Sequence, residues 1–343
     1  MLAKFSHIHR EGVKLMSSAI DVVIPVAMKD LPKLAVCVDK ILANSLTPIR
    51  NIYIVAPQTV VSTMESQQAI QFAHPKQSGV IWVDEATYPF TLRDIKNRLL
   101  GKNNLYNNSS WYYQQLLKFY CFKAIPNLQP NTLILDADCF VSQKIEFLTV
   151  NGQALLAYGY PFHWLLNTKH YPAENRHSHI DFAERFVPDW TPVNAFSGMQ
   201  HHMLFQQAIM AKLFAAVETT HQKEFWQAFL DNVEFQKWNA ASEYVIYYHF
   251  AMKFFPEQIV SRHLHSCDFI HDETENPFVL EVAQNTLQER AFQTIGCHSF
   301  LDLRARLKTM DYIPTDLKQK MLSVERVVFK LILDDSMLQI EAI

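Results

Sequence analysis

The 343-residue chain contains only 7 glycines. Average usage of about 7% would supply roughly three times as many. Neither G-x-G-x-x-G nor G-x-x-x-x-G-K-[ST] occurs, which excludes the two common glycine-built phosphate cradles. A bound nucleotide would have to be held another way, for instance through a metal. Charge of one sign is lacking too: Lys and Arg total 31, Asp and Glu 34, a formal net charge of −3. A chain so near neutrality has no general attraction for nucleic acid or for an anionic membrane. The five cysteines are odd in number and form no C-x-x-C, which argues for reduced, mostly buried thiols in the cytosol. No apolar run reaches the roughly 18 residues needed to span a bilayer. The N-terminal segment carries Lys4, Arg10, Glu11 and Lys14 where a signal peptide would have an apolar stretch. The expected localisation is cytoplasmic, with Sec-independent export left open. Apolar residues make up 49% and aromatics 13%, ample for a core, and the charged share of 19% is too low for disorder.

The order of elements predicts an α/β fold. Ile20 to Val26 reads as a buried strand. Asp30 is a candidate cap for a helix with Pro32 in its first turn, running to about Asn44. Ile52 to Ala56 and Val80 to Val83 read as further strands, with a helix over roughly 58–72 between them. Residues 111–124 read as a helix, and Thr132 to Leu135 as a strand. Strands alternating with helical spacers imply a mostly parallel sheet flanked by helices. Later, 154–158 and 258–265 read as strands, 159–194 as a long loop or lid, and 201–217, 221–253, 298–309 and 316–334 as helices. The implied organisation is an extension over 1–18, a nucleotide-binding β/α region over 19–150, an acceptor-side region over 151–290, and C-terminal helices over 291–343.

Ligands of such sheets sit at the carboxyl ends of the strands. That makes Pro25, Val26, Lys29 and Asp84 candidate donor contacts. Asp136-Ala137-Asp138 is the sharpest local feature. Carboxylates at i and i+2 of an extended chain face the same way and can share a hard cation with phosphate oxygens. The plain alternative is a solvated or capping pair of acids at a strand end. Gln114 and Lys118 share a helix face, and Lys118 can reach a phosphate or simply meet solvent.

At these residues the chain resembles the GT-A class of glycosyltransferases. The resemblance rests on Val22-Val23-Ile24-Pro25-Val26, on Asp136-Ala137-Asp138 after Leu133-Ile134-Leu135, and on Val193-Asn194-Ala195-Phe196-Ser197-Gly198-Met199. More narrowly it resembles a bacterial family of largely uncharacterised, glycosyltransferase-like proteins, through Trp111 to Lys118 and Ser242 to Tyr247. The likeness spans about 18–270. At Phe196 the chain departs from it, since many GT-A enzymes have Asn there.

The resemblance implies a GT-A-like (Rossmann-like) fold and transfer of a sugar from a nucleotide-diphosphate donor, UDP-sugar favoured, to a hydroxyl acceptor of unknown identity. It implies Mn²⁺ or Mg²⁺ as cofactor, with Asp138 and Asp136 as metal or donor ligands and a third ligand from His265 or His263. Ser197 and the rare Gly198 would approach the donor. Glu243 would be the general base, with Asp189 as a weaker candidate; equally, Glu243 is a first-turn helix acid with Asn239 as cap. Two other readings stay open: a non-catalytic nucleotide- or glycan-binding protein of the same fold, and a phosphatase of the haloacid dehalogenase type, which also places D-x-D after an apolar strand. No nucleic acid or transmembrane segment is expected. The C-terminal helix would pack on the core or on a membrane-associated partner, so peripheral membrane contact also stays open.

Overall fold

The computed structural model describes residues 19–67, 79–100, 108–159, 162, 177–234, 240–270, 292–298, 327–333 and 336–342. The expected N-terminal extension over 1–18 lies outside them, as do 68–72 of the second helix. Four parallel strands form the centre: β1 (Ile20–Pro25), β2 (Ile49–Ala56), β3 (Gly79–Asp84) and β4 (Asn131–Leu135). A fifth, β7 (His202–Gln206), joins antiparallel to β4, and the sheet order is β3-β2-β1-β4-β7. β1 is buried along its whole length, as its unbroken apolar run requires of a strand enclosed on both faces. The mostly parallel α/β architecture is therefore as expected.

The chain builds outward from β1 to β3, then returns to place β4 on the other side of β1. The order thus reverses between β1 and β4, and in sheets of this kind ligands sit at the carboxyl ends of the strands at such a switch point. Helices α1 (Leu31–Asn44), α2 (Gln58–Gln67), α3 (Leu92–Leu99), α4 (Ser109–Phe119) and the short α5 (Cys121–Ala124) make the connections. The single helix expected over 111–124 is interrupted at Tyr120.

Asp136-Ala137-Asp138 carries the chain out of this sheet. It links β4 to β5 (Cys139–Val141), the edge of a second sheet ordered β12-β11-β9-β10-β5. Its other members are β9 (Ser266–Ile270), β10 (Thr294–His298), β11 (Val327–Leu333) and β12 (Ser336–Ala342). A third, two-stranded parallel pair joins β6 (Ala154–Ala157) to β8 (Ile259–Arg262).

The second half of the chain departs from the sequence expectations. The helix expected over 201–217 begins as strand β7 and turns helical only at α7 (Gln207–His221). The stretch 221–253 is two helices, α8 (Phe225–Asp231) and α9 (Glu243–Phe254), after a left-handed Gln222. The expected lid contains an ordered helix, α6 (Ser178–Phe186), whose Ile180, Phe182, Ala183 and Phe186 are buried; 160–161 and 163–176 lie outside the described residues. The strand expected over 258–265 stops at Arg262. Val327–Leu333, expected to end a helix, instead forms an antiparallel hairpin with β12; 299–326 lie outside the described residues. A short apolar run reads alike as strand or helix by periodicity, and pairing across the sheet settles it. α9 is buried from Glu243 to Ala251, as a helix surrounded by the rest of a domain should be.

Candidate active site at the strand switch point

Three elements converge on the D-x-D turn. From one side comes α1, which presents Asp30, Lys33 and Cys37 on successive turns of one face. Cys37 Sγ donates to the carbonyl oxygen of Cys139 at 3.3 Å and lies 3.7 Å from that of Asp136, so this face underlies the turn. Asp30 stands at the helix N-cap position, but its side chain makes no cap bond. It faces Lys33 instead, with Nζ 3.5 Å from Oδ1. Lys33 is fully buried. Burial, then the charge of Asp138, raises the Asp30 carboxyl above the usual range.

From the other side comes α4. Lys118 is buried, and its Nζ lies 2.5 Å from Asp136 Oδ1 and 2.5 Å from Glu243 Oε1, over the ring of Tyr244. Burial alone would lower the Lys118 ammonium, but Asp136 and Glu243 outweigh it and hold it above the ordinary lysine range. The two acids divide unequally. Burial disfavours the charge on each. At Asp136, Lys118 and then His201 outweigh burial and the group sits below the ordinary carboxylate range. At Glu243, burial prevails and the group sits above it. Asp136 is therefore the ionised partner, and Glu243 holds a proton more tightly.

The third element is the start of β7. His201 has φ 55°, uncommon for a side chain of this size. Its carbonyl accepts from the Asp136 amide at 2.9 Å, and its Nδ1 lies 3.2 Å from Asp136 Oδ2. Sequence reasoning missed both His201 and Lys33. Lys33 had a usable signal, because it lies three residues after Asp30 and four before Cys37, on a face otherwise apolar. His201 had none, since its place depends on β7 pairing with β4.

The other expected residues fall as follows. Val26 is buried and its amide bonds to the Val55 carbonyl at 2.9 Å; Pro25 ends β1. Lys29 is exposed beside Asp30, which it helps to ionise. Asp84 ends β3, three strands from β4, and caps Ala86. Gln114 is half-buried one turn from Lys118. Ser197 is buried, with Oγ accepting from the Met199 amide. Gly198 has φ +73°, and a Cβ there would lie 2.5 Å from Tyr248. Nearby Gly159 has φ +68°, and its Cβ would meet the Met199 and Gly198 backbone at under 3 Å. Two of the scarce glycines thus permit close packing here, Gly159 against the Gly198–Met199 backbone and Gly198 against the Tyr248 ring.

Glu243 is not poised above an acceptor: it is 3% exposed and bound to Lys118. Its helix is capped by Ser242, whose Oγ accepts from Val245 N; Asn239 lies outside the described residues. Asp189 is exposed at the other end of the same helix, where its carbonyl accepts from Lys253 Nζ. Ten helical residues separate Glu243 from Lys253, roughly 15 Å of rise. The structure does not bring the two expected catalytic acids together.

Nor does it bring the expected histidines to the acids. The His265 carbonyl accepts from Gln293 N, and the Gln293 carbonyl from Ser142 N. His265 is thus level with Ser142, four residues and roughly 13 Å of extended strand from Asp138. His263 packs against the rings of Tyr158 and Phe196. Among the described residues, no three His, Cys, Asp or Glu side chains stand close enough to hold a metal ion by themselves. The register of β10 with β5 pairs Gly296 with Cys139, so Cys297 and His298 continue toward the D-x-D turn.

The match along the sequence covers this whole arrangement, from before β1 to beyond β10: residues 17–301 fit the family described as "Family of unknown function (DUF6492)". The chain belongs to that family. No curated protein matches it. Among solved structures it is similar to mouse xyloside xylosyltransferase 1 in its apo form, at 11% identity and a TM-score of 0.42, covering 82% of this chain and 97% of that one. Among the described residues, no helix of this DUF6492 member is long and apolar enough to cross a membrane.

Proposed function

We propose that this chain is a sugar transferase that takes a nucleotide-diphosphate sugar, UDP-sugar favoured, and a hydroxyl acceptor. The observation that carries the reading is an excess of acid at the switch point. Asp30, Asp136, Asp138 and Glu243 are linked by contact or by charge, with Lys33 and Lys118 as their buried counterions. The charge of Asp138 works against ionisation of both Asp30 and Asp136; burial and that charge raise Asp30, whereas Lys118 and His201 keep Asp136 below the ordinary range.

This donor set fits a hard divalent cation, Mn²⁺ or Mg²⁺, that takes one or two carboxylates and completes its shell with phosphate oxygens and water. Asp138 would be the main ligand, and Asp136, which Lys118 and His201 contact, would face the donor. When bound, the cation would supply Lewis-acid neutralisation of the diphosphate. The protein's own groups do the rest. Lys118 holds Asp136 ionised at the end of β4, where it would orient donor hydroxyls. Lys33 holds Asp30 beside the β1 end. Glu243 acts through Lys118 as a positioning residue.

The engagement of both Asp136 and Glu243 with Lys118 also favours a second reading, a nucleotide-binding protein without turnover. Incubation with a panel of nucleotide sugars and Mn²⁺, read by mass spectrometry, separates the two. Release of free nucleotide that is lost in Asp138→Ala supports the transferase. Tight binding of nucleotide sugars with no release in any condition supports the binding protein.

A further inference from the structure

We propose that Tyr158, Phe196 and His263 form a stacking corner for a saccharide acceptor; the word acceptor rests on the transferase reading, the saccharide site does not. Most aromatic rings here are buried, but Tyr158 and Phe196 are half-buried and His263 is exposed. The three rings touch one another: centroids are 5.0 Å apart for Tyr158–Phe196, 4.5 Å for Tyr158–His263 and 5.7 Å for Phe196–His263. They come from three separate segments. Ala157 pairs with Arg262 in the β6–β8 ladder, so Tyr158 and His263 each stand one residue past the carboxyl end of a parallel strand. Phe196 is brought in by the segment before Gly198, whose amide donates to the Tyr158 carbonyl at 2.7 Å.

That hydrogen bond also sets the corner's distance from the reacting end. Three residues separate Gly198 from His201, at most about 10 Å of chain, and His201 touches Asp136. One or two pyranose rings would bridge such a gap. The corner lies on the β7 side of β4, whereas the strand ends of β1 to β3 lie on the other side. A nucleotide spread along β1 to β3 would leave it open. The chemistry suits a sugar: aromatic faces are electron-rich and attract the polarised C–H face of a pyranose, and the His263 edge can bond a hydroxyl. The two left-handed glycines have a use in this account. A side chain at Gly159 would strike the Gly198–Met199 backbone, and one at Gly198 would strike the Tyr248 ring, so either would disturb the seating of the segment that carries Phe196.

Saturation-transfer NMR on the full chain tests this, with lactose, maltose and diacetylchitobiose as saccharide probes and UDP with Mn²⁺ as a separate ligand. At least one disaccharide should receive saturation at its ring C–H protons. Its affinity should fall about tenfold, roughly one stacked ring's share, in Phe196→Ala and in the exposed-site variant His263→Ala, and survive in Phe196→Trp. UDP affinity should stay within about twofold, well under the tenfold step. Binding of no disaccharide, or binding indifferent to these substitutions, overturns the proposal. Loss of UDP with the saccharide unchanged also overturns it and gives the rings to the nucleobase. Saccharide bound through the rings with no UDP binding would leave the corner standing and remove the transferase reading.

Discussion

Two buried aspartates occupy opposite ends of the same parallel sheet. Asp21, near the start of β1, accepts four hydrogen bonds, from Arg50 Nε and Nη2 and from the amides of Asn51 and Gln129. Its bidentate arginine neutralises it, and among the described residues no second acid shares that arginine. Asp136, just past the end of β4, shares one lysine with a second acid and feels a third at Asp138. The first carboxylate is finished within the fold. The second is left with like charges around it, at the end of the sheet where ligands bind. Burial is common to both, so burial of an acid does not mark the site. The imbalance around it does.

The largest effect on turnover should come from the second acid of the D-x-D turn. Asp138→Ala should lower turnover about 10³-fold, the rough worth of a lost metal ligand at several kcal/mol, with stability nearly unchanged. Equal losses of turnover and stability, measured by product assay and urea melt, would erase the distinction between the two ends. Lys118→Met comes next. It leaves Asp136 and Glu243 buried without their cation and should cost about 3–5 kcal/mol. Adding Glu243→Gln should recover part of that, because one stranded acid is gone. A strictly additive double mutant, read in a urea cycle, would mean the triad is not coupled. Asp21→Asn should cost about 2 kcal/mol through its weakened charged hydrogen bonds, while leaving nucleotide affinity as it was.

A graded effect, spread over several pH units, concerns two buried histidines. Burial holds His202 and His249 down to about 4. The unfolded chain takes up these protons near 6.5 and the folded chain does not, so stability should fall as pH drops from 6.5 toward 4. Each histidine contributes at most one proton, about 1.4 kcal/mol per pH unit. His202→Gln should flatten the slope by up to that amount. An unchanged slope would show that the buried imidazole is not neutral.

The strand–helix alternation from Ile20 to Leu135 was readable because it is local: continuous β-branched runs, punctuated by Pro25, Pro57 and Pro130. The D-x-D turn was readable for the same reason. What escaped was set by distant pairing. His202–Gln206 looks like the start of a helix until β4 lies beside it, and only that pairing puts His201 on Asp136. Lys118 was read as a phosphate contact or a solvated side chain. Its burial between Asp136 and Glu243 depends on α9, more than a hundred residues away. Gly198 drew notice through scarcity and through its place in the Val193 to Met199 segment, and the Tyr248 ring behind it gives the reason for its being glycine.

The central claim is that the excess of acid beyond Lys118 exists to receive a cation with a nucleotide diphosphate. Calorimetric titration of UDP into the wild-type chain, with and without Mn²⁺, and into Asp138→Ala, tests it directly. The account predicts binding that requires Mn²⁺ and disappears in Asp138→Ala. UDP binding of equal strength without metal, unaffected by that substitution, would contradict it.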